Sequence, residues 1–170
     1  MRSRIKIVTF AALLLLAFAP SALAVEVGQR APKFSLSSID GSGTVDLAAY
    51  RGKVVYLDFW ASWCPPCRKA MPEIEKLRKA YSPDEFAVVA VNVDSSLKKA
   101  QKVLAKTPVG YRSGSDPKGQ LPKRYQVKTM PTSYLLDRNG VVRYVHEGFR
   151  RGDEKTLREE IDKLLRKGAK

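Results

Sequence analysis

The residues best suited to chemistry in this sequence are its two cysteines, Cys64 and Cys67, which are separated by two prolines. A disulfide across two intervening residues closes a very small loop, so it removes little entropy from the unfolded chain and stabilises a fold poorly. The same spacing suits a pair that opens and closes by thiol–disulfide exchange. We therefore interpret the two cysteines as a redox-active pair.

The surroundings of the pair predict different roles for the two sulfurs. Residues 54–60 are almost entirely apolar and predict a buried strand, and the prolines after Cys64 favour the first turn of a helix. The partial positive charge at a helix N-terminus favours the thiolate of Cys64, whereas Cys67 lies one turn further in and is more sheltered. We expect Cys64 to attack and Cys67 to resolve the mixed disulfide.

The two prolines also bear on the direction of electron flow. Neither Pro65 nor Pro66 has an N–H, so the N–H of Cys67 is the natural donor to the Cys64 sulfur within the motif. This predicts only moderate stabilisation of the thiolate. Strong oxidants of this kind depend on an unusually stable reduced form, so the motif favours a reductant.

The rest of the pattern predicts an α/β domain with a mixed central sheet and helices on both faces. Residues 86–93 predict a second buried strand, parallel to the first, and residues 133–147 predict a hairpin around the turn at 137–140. An edge strand over 33–36 and a helical turn near 46–50 are also expected. One predicted helix begins at the cysteine motif, and three others cover 96–106, 118–125 and 153–167.

The stretch from Val54 to Cys67 resembles the active-site strand and helix of the thioredoxin superfamily. Pro72 matches that family's helix-kinking proline, and Met130-Pro131-Thr132 resembles the loop whose proline is cis and faces the disulfide. The resemblance covers roughly residues 28–167 and implies a thioredoxin-like fold. Within the superfamily, the lead-in Ala31-Pro32-Lys33-Phe34 is similar to that of the periplasmic TlpA/ResA-type reductases.

The resemblance implies roles for four further side chains. Pro131 would present backbone groups to an extended substrate, and Met130 and Trp63 would border the substrate groove. Asp58 falls where thioredoxin has a buried acid, and a buried carboxyl with a raised pKa could serve Cys67 as a general base. The alternative for Asp58 is a capped or hydrated structural acid, and many TlpA-like sequences have a neutral residue there.

One position departs from the ResA pattern. ResA-type proteins carry a glutamate just after the second buried strand, where this chain reads Asn92-Val93-Asp94-Ser95 with serine at the aligned position. Asp94 is a candidate substitute. The departure weakens the expectation of a specialised role in cytochrome c maturation.

The N-terminus has the order of a secretory signal peptide: Arg2, Arg4 and Lys6, then an apolar run over 7–19, then Ala22-Leu23-Ala24. We expect cleavage after Ala24, which would leave a thioredoxin-like domain over 25–170 in the periplasm. The alternative is an uncleaved anchor in the inner membrane facing the periplasm. No cysteine lies near the cut, which excludes a lipoprotein anchor.

The formal charge is +14, and losing the three cations of the signal segment leaves +11. Nucleic acid is not an expected partner of an exported protein. The basic residues are scattered along the sequence, which indicates a solvated basic surface rather than a dedicated site. Weak attraction to anionic lipid headgroups is a second interpretation.

The residues give little support to a metal site or to the peroxide chemistry of a peroxiredoxin. Zinc usually takes four ligands, and two cysteines with His146 fall short, so no metal is predicted. No cofactor is needed, because the cysteines carry the electrons. A peroxiredoxin is rejected, since Leu57 and Ala61 stand where its signature needs proline and threonine or serine.

The resemblance therefore implies an exported thiol–disulfide oxidoreductase. The leading hypothesis is a monomeric dithiol reductase of cysteine-containing exported proteins, such as those of cytochrome c or copper-site maturation. A membrane thiol transporter of the DsbD/CcdA kind would recharge it. The alternatives are a net disulfide oxidant or isomerase, and a non-enzymatic module that binds a metal or a partner protein.

Overall fold

The computed structural model describes residues 25–167, and a five-stranded mixed sheet lies at the centre of this part of the chain. The strands are β1 (Ser35–Ser37), β2 (Thr44–Asp46), β3 (Val54–Trp60), β4 (Phe86–Asn92), β5 (Arg112–Ser115), β6 (Thr132–Leu136) and β7 (Val142–Glu147). The central sheet has the order β5-β4-β3-β6-β7. Its β3–β4 and β4–β5 pairs are parallel, and its β3–β6 and β6–β7 pairs are antiparallel. The predicted mixed sheet is confirmed.

Helices cover both faces of this sheet, as predicted. They are α1 (Pro65–Lys79), α2 (Leu97–Lys106), α3 (Gln120–Tyr125) and α4 (Asp153–Lys167), with a short 3-10 helix over Leu47–Tyr50. The buried side chains of α1, α2 and α4 belong to one apolar cluster, and those of α3 belong to a second cluster. The fold is therefore thioredoxin-like, with three helices on one face and α3 on the other.

The central strand β3 is buried at every position. Its side chains alternate between the two faces: Val54, Tyr56 and Trp60 join the cluster under α1, and the odd-numbered residues join the cluster under α3. By this period of two, Asp58 lies on the face that α1 covers. The strand thus places one carboxyl in the same layer as the helix that carries the cysteines.

The N-terminal region differs from the sequence prediction. The predicted edge strand over 33–36 is present as β1, which begins two residues later and pairs with β2 in a separate two-stranded sheet. This small sheet lies against β5, where a Cβ added to Gly114 would come within 2.8 Å of the Leu36 Cβ. The close approach explains a glycine in the middle of β5, and it gives the small sheet its support.

Helix α1 is continuous from Pro65 to Lys79 and contains Pro72, which has no N–H for the helical ladder. Beyond the proline, the Glu75 carboxylate accepts hydrogen bonds from the Gly110 N–H at 3.0 Å and from the Arg78 guanidinium at 2.9 and 2.8 Å. These bonds, that of Arg78 above all, lower the pKa of Glu75 to about 2. The C-terminal segment of α1 is therefore fastened to the loop before β5.

The predicted signal peptide, residues 1–24, lies outside the described residues, and so does the end of the chain at 168–170. Within residues 25–167, none of the helices has the length and apolar character needed to cross a bilayer.

Candidate active site

Cys64 and Cys67 form a disulfide at the start of α1. Cys64 is the N-cap residue, and its sulfur accepts a hydrogen bond from the Cys67 N–H at 3.2 Å, which is the donor that the two prolines predict. Cys64 is 4% exposed and Cys67 is fully buried. Cys64, at the helix N-terminus, is thus slightly more exposed than Cys67.

The parallel pairing of β3 with β4 brings a second loop to the cysteines. Trp60 pairs with Asn92, so both strands end at the same edge of the sheet. The residues that follow them, 61–64 on one strand and 93–94 on the other, therefore meet beside the disulfide. In parallel sheets, this carboxyl edge is where functional groups collect.

Asp94 fastens the loop that carries Cys64. Its carboxylate accepts hydrogen bonds from the Ser62 N–H and the Ser62 hydroxyl, each at 2.8 Å, and from the Asn92 side-chain amide at 2.8 Å. Arg68 in α1 donates to the Ser62 carbonyl at 2.9 Å. Asp94 is 2% exposed, so these charge-assisted bonds are sheltered from water. The loop between β3 and α1 is held from both sides.

From the sequence, Asp94 is only a candidate substitute for a missing glutamate, and the structure gives it a different contact. The signal that could have revealed the contact is its position. Asp94 follows a buried parallel strand by two residues, and Ser62 follows the neighbouring strand by two residues.

Asp58 is 2% exposed and lies at the middle of β3 between Ala90 and Ser133. Its Oδ1 atom is buried and has no hydrogen-bond partner among residues 25–167, so the alternative of a capped structural acid finds no cap there. Burial raises the pKa of Asp58 to about 8. A carboxyl in this state holds its proton at neutral pH and can exchange it near that pH.

Two tyrosine hydroxyls near Asp58 also have raised pKa values. Burial first, and then the neighbouring charge of Asp58, raise the pKa of the Tyr56 and Tyr111 hydroxyls. The layer around Asp58, between β3 and α1, is therefore mostly apolar. Such a layer favours the neutral forms of the groups buried in it.

The peptide bond between Met130 and Pro131 is cis, as the resemblance implied. The Pro131 carbonyl accepts a hydrogen bond from the Gly148 N–H at 2.7 Å, and proline has no N–H. Met130 is half-buried and packs against both apolar clusters. Trp63 is 64% exposed beside the disulfide, whereas Trp60 is buried and donates its indole N–H to Ser113 at 2.9 Å.

His146 has a structural contact rather than a contact with the cysteines. Its Nε2 atom lies 3.0 Å from Asp153 Oδ2 and so ties β7 to the start of α4. In the described part of the chain, no three histidine, cysteine, aspartate or glutamate side chains are grouped as metal ligands would be.

The chain is similar to known redox proteins both in sequence and in structure. The Redoxin family model matches residues 26–161. The thioredoxin-like protein YneN of Bacillus subtilis is 42% identical over 127 residues, which is 73% of each chain. The thiol-disulfide oxidoreductase ResA of Geobacillus thermodenitrificans is 35% identical over 74% of this chain and 71% of its own. A thiol:disulfide interchange protein of DsbE type from Chlorobium tepidum superposes with a TM-score of 0.80 at 45% identity, covering 84% of this chain and 99% of that one.

Proposed function

The chain belongs to the Redoxin family and is a thiol–disulfide oxidoreductase, and from this premise we propose that it acts as an exported dithiol reductase of protein disulfides. The observation that carries the proposal is the disulfide at the N-terminus of α1, with a single N–H of the motif directed at the Cys64 sulfur. Cys64, Cys67 and Asp58 are the catalytic residues in this proposal.

The proposed reaction has two exchange steps. The Cys64 thiolate attacks one sulfur of the substrate disulfide, forms a mixed disulfide and releases the other substrate sulfur as a thiolate. The Cys67 thiol then loses its proton and attacks the Cys64 sulfur, which releases the second substrate thiolate. Two electrons pass to the substrate, its two thiolates take up protons, and the disulfide seen in the structure is left behind.

Asp58 in its ionised form is the proposed acceptor of the Cys67 proton. It lies on the face of the sheet that α1 covers, and its raised pKa of about 8 approaches the ordinary pKa of a thiol near 8.5. Matched values allow the proton to pass either way at little cost, which suits a base in the resolving step and an acid in the reverse step.

The reducing direction follows from the first turn of α1. The Cys67 N–H is the donor to the Cys64 sulfur within the motif, because positions 65 and 66 are prolines. Moderate stabilisation of the thiolate leaves the dithiol form ready to give up electrons.

The substrate segment would lie against Trp63 and the loop at Pro131. The exposed indole of Trp63 offers an apolar contact beside the sulfur. Pro131 would present its backbone to an extended substrate, and Met130 would border the groove. The Pro131 carbonyl accepts from the Gly148 N–H and has a second lone pair for a substrate donor.

The proposed location is the periplasm, after cleavage of residues 1–24 and release of the domain over 25–170. The basic, apolar and small-residue order of the N-terminus supports export. Cysteine-containing exported proteins would be the substrates, those of cytochrome c and copper-site maturation among them, and a membrane thiol transporter of the DsbD/CcdA kind would supply electrons. We propose that the protein works as a monomer.

Trapping of mixed disulfides tests the proposal. Cys67→Ser cannot complete the second step, so it should hold substrates on Cys64 as adducts that a reductant releases. Cys64→Ser is the matched control and should capture nothing through the remaining buried thiol. Adducts that depend on Cys67 instead would refute the assigned order. An equilibrium titration against glutathione checks the direction, and a potential near that of the strongly oxidising exported proteins would refute the reductase role.

A further inference from the structure

A groove of about 480 Å³ opens between the start of α1 and one side of α2, with Ser62 of the active-site loop in its wall. Four cations line it, Arg68 from α1 and Lys99, Lys102 and Lys106 from α2, and no carboxylate of residues 25–167 lines it. The four side chains are exposed. The sequence shows these residues only as part of a scattered basic composition, and the fold brings them to one place.

The positive charge of α2 destabilises the helix itself. It contains four lysines and no acidic residue, and two of the lysines, Lys98 and Lys99, occupy its first turn. Cations near a helix N-terminus are unfavourable, and Lys102 has like charges three residues before it and four residues after it. None of these lysines forms an ion pair with a residue of the described chain.

The other two long helices are built differently. Helix α1 contains the Lys76–Glu73 and Arg78–Glu75 pairs, and α4 begins with two acids and contains the Lys163–Glu160 pair. Opposite charges on these helices stabilise them at the usual spacing of three residues. Helix α2 is thus the one long helix of the described chain that contains cations and no acidic residue.

The groove is continuous with the active-site loop. Ser62, which lies two residues before Cys64, forms part of its wall, and Arg68 lies one turn beyond the same cysteine. The one carboxylate bonded to this wall, Asp94, is buried and directed at Ser62 and Asn92, so it offers no partner to the lysines. A chain that reacts at Cys64 would therefore pass within reach of four unpaired cations.

We propose that this groove binds an acidic segment next to the reacting cysteine of a protein substrate. The inference rests on the proposed function and adds a substrate class to it. Glutamate or aspartate side chains would pair with Lys99, Lys102 and Lys106 while the sulfur meets Cys64. Complementary charge of this kind acts mainly on the rate of encounter and weakens with salt.

Synthetic peptides test the preference directly. Two peptides would carry the same intramolecular disulfide, one flanked by four glutamates and the other by four glutamines. Reduction by the full dithiol protein would be followed as a second-order rate constant. At low ionic strength the glutamate peptide should react about tenfold faster, and at 0.5 M salt the two rates should differ by less than about threefold.

Charge-removing variants assign the effect to the groove. The triple variant K99Q/K102Q/K106Q should lose the preference and keep the rate for the glutamine peptide, because glutamine retains the helix propensity of lysine. The matched control is K33Q/K118Q/K123Q, which removes three exposed lysines away from the groove. The control should keep the preference.

The outcomes separate this inference from the proposed function. Equal rates for the two peptides, or a preference that the control loses as much as the groove variant, would overturn the groove. Failure to reduce either peptide would instead refute the reductase. If the groove variant changes only adsorption to phosphatidylglycerol vesicles and leaves peptide selectivity intact, the cations serve a lipid surface and the proposal is wrong.

Discussion

Replacement of Asp58 by asparagine should make the protein more stable at neutral pH and should remove a specific part of its pH dependence. The asparagine has nearly the same shape and cannot ionise. In the native protein, burial raises the pKa of Asp58 from 3.8 to about 8. Between these two values the folded chain holds a proton that the unfolded chain has released.

The sign and size of the effect follow from this difference. Because the folded state binds the extra proton, the free energy of unfolding falls as pH rises from about 4 to about 8, and levels off above 8. Each pH unit corresponds to about 1.4 kcal/mol, so the wild-type protein should lose about 2.5 kcal/mol relative to Asp58→Asn between pH 5 and pH 7. The amide has donors to bury, which offsets the gain by about 1–3 kcal/mol at every pH.

Urea unfolding of the oxidised proteins at pH 5, 7 and 9 measures the difference, and the disulfide keeps thiol ionisation out of the result. Asp84→Asn is the control, since Asp84 is exposed and its carboxylate contacts no partner in the described chain. This control should follow the wild-type curve. Parallel curves for wild type and Asp58→Asn would show that Asp58 ionises normally in the fold, and the proposed proton acceptor would be lost with it.

Two further substitutions probe the contacts around the site. Asp94→Ala should cost about 2–3 kcal/mol and should speed hydrogen exchange at the Ser62 amide, whereas Ser62→Ala should cost about 1 kcal/mol; equal costs would contradict the anchoring role. Gly114→Ala should cost about 1–3 kcal/mol in urea unfolding, because its Cβ would lie 2.8 Å from that of Leu36. A double-mutant cycle with Leu36→Gly, which removes the Leu36 Cβ, should recover part of that cost, and simple additivity would argue against the clash.

Much of the fold could be predicted from the sequence, because its longest elements have strong patterns. The apolar run of β3 and the periodic apolar face of α4 indicated these elements with bounds that agree with the structure. The cysteine motif located the start of α1, and the donor to the Cys64 sulfur followed from the absence of N–H groups on two prolines.

The parts that could not be predicted depend on contacts between distant segments. Strand β5 reads Arg-Ser-Gly-Ser and has no apolar alternation, so only its pairing with β4 reveals it. The alternation at 33–36 indicates a strand but not its partner, so the pairing of β1 with β2 in a separate small sheet could not be predicted. The cationic groove could not be predicted, because Arg68 and Lys102 are brought together only by the packing of two helices.

The position of Pro72 inside α1 has a mechanical consequence. The proline removes the N–H that would bond the Arg68 carbonyl, so the helical ladder is interrupted one turn beyond Cys67. Beyond that point, Glu75 fastens the helix to Gly110. A change in the spacing of the cysteines as their bond opens would therefore fall on the turns before Pro72, while the turns after it keep their hydrogen bond to the loop before β5.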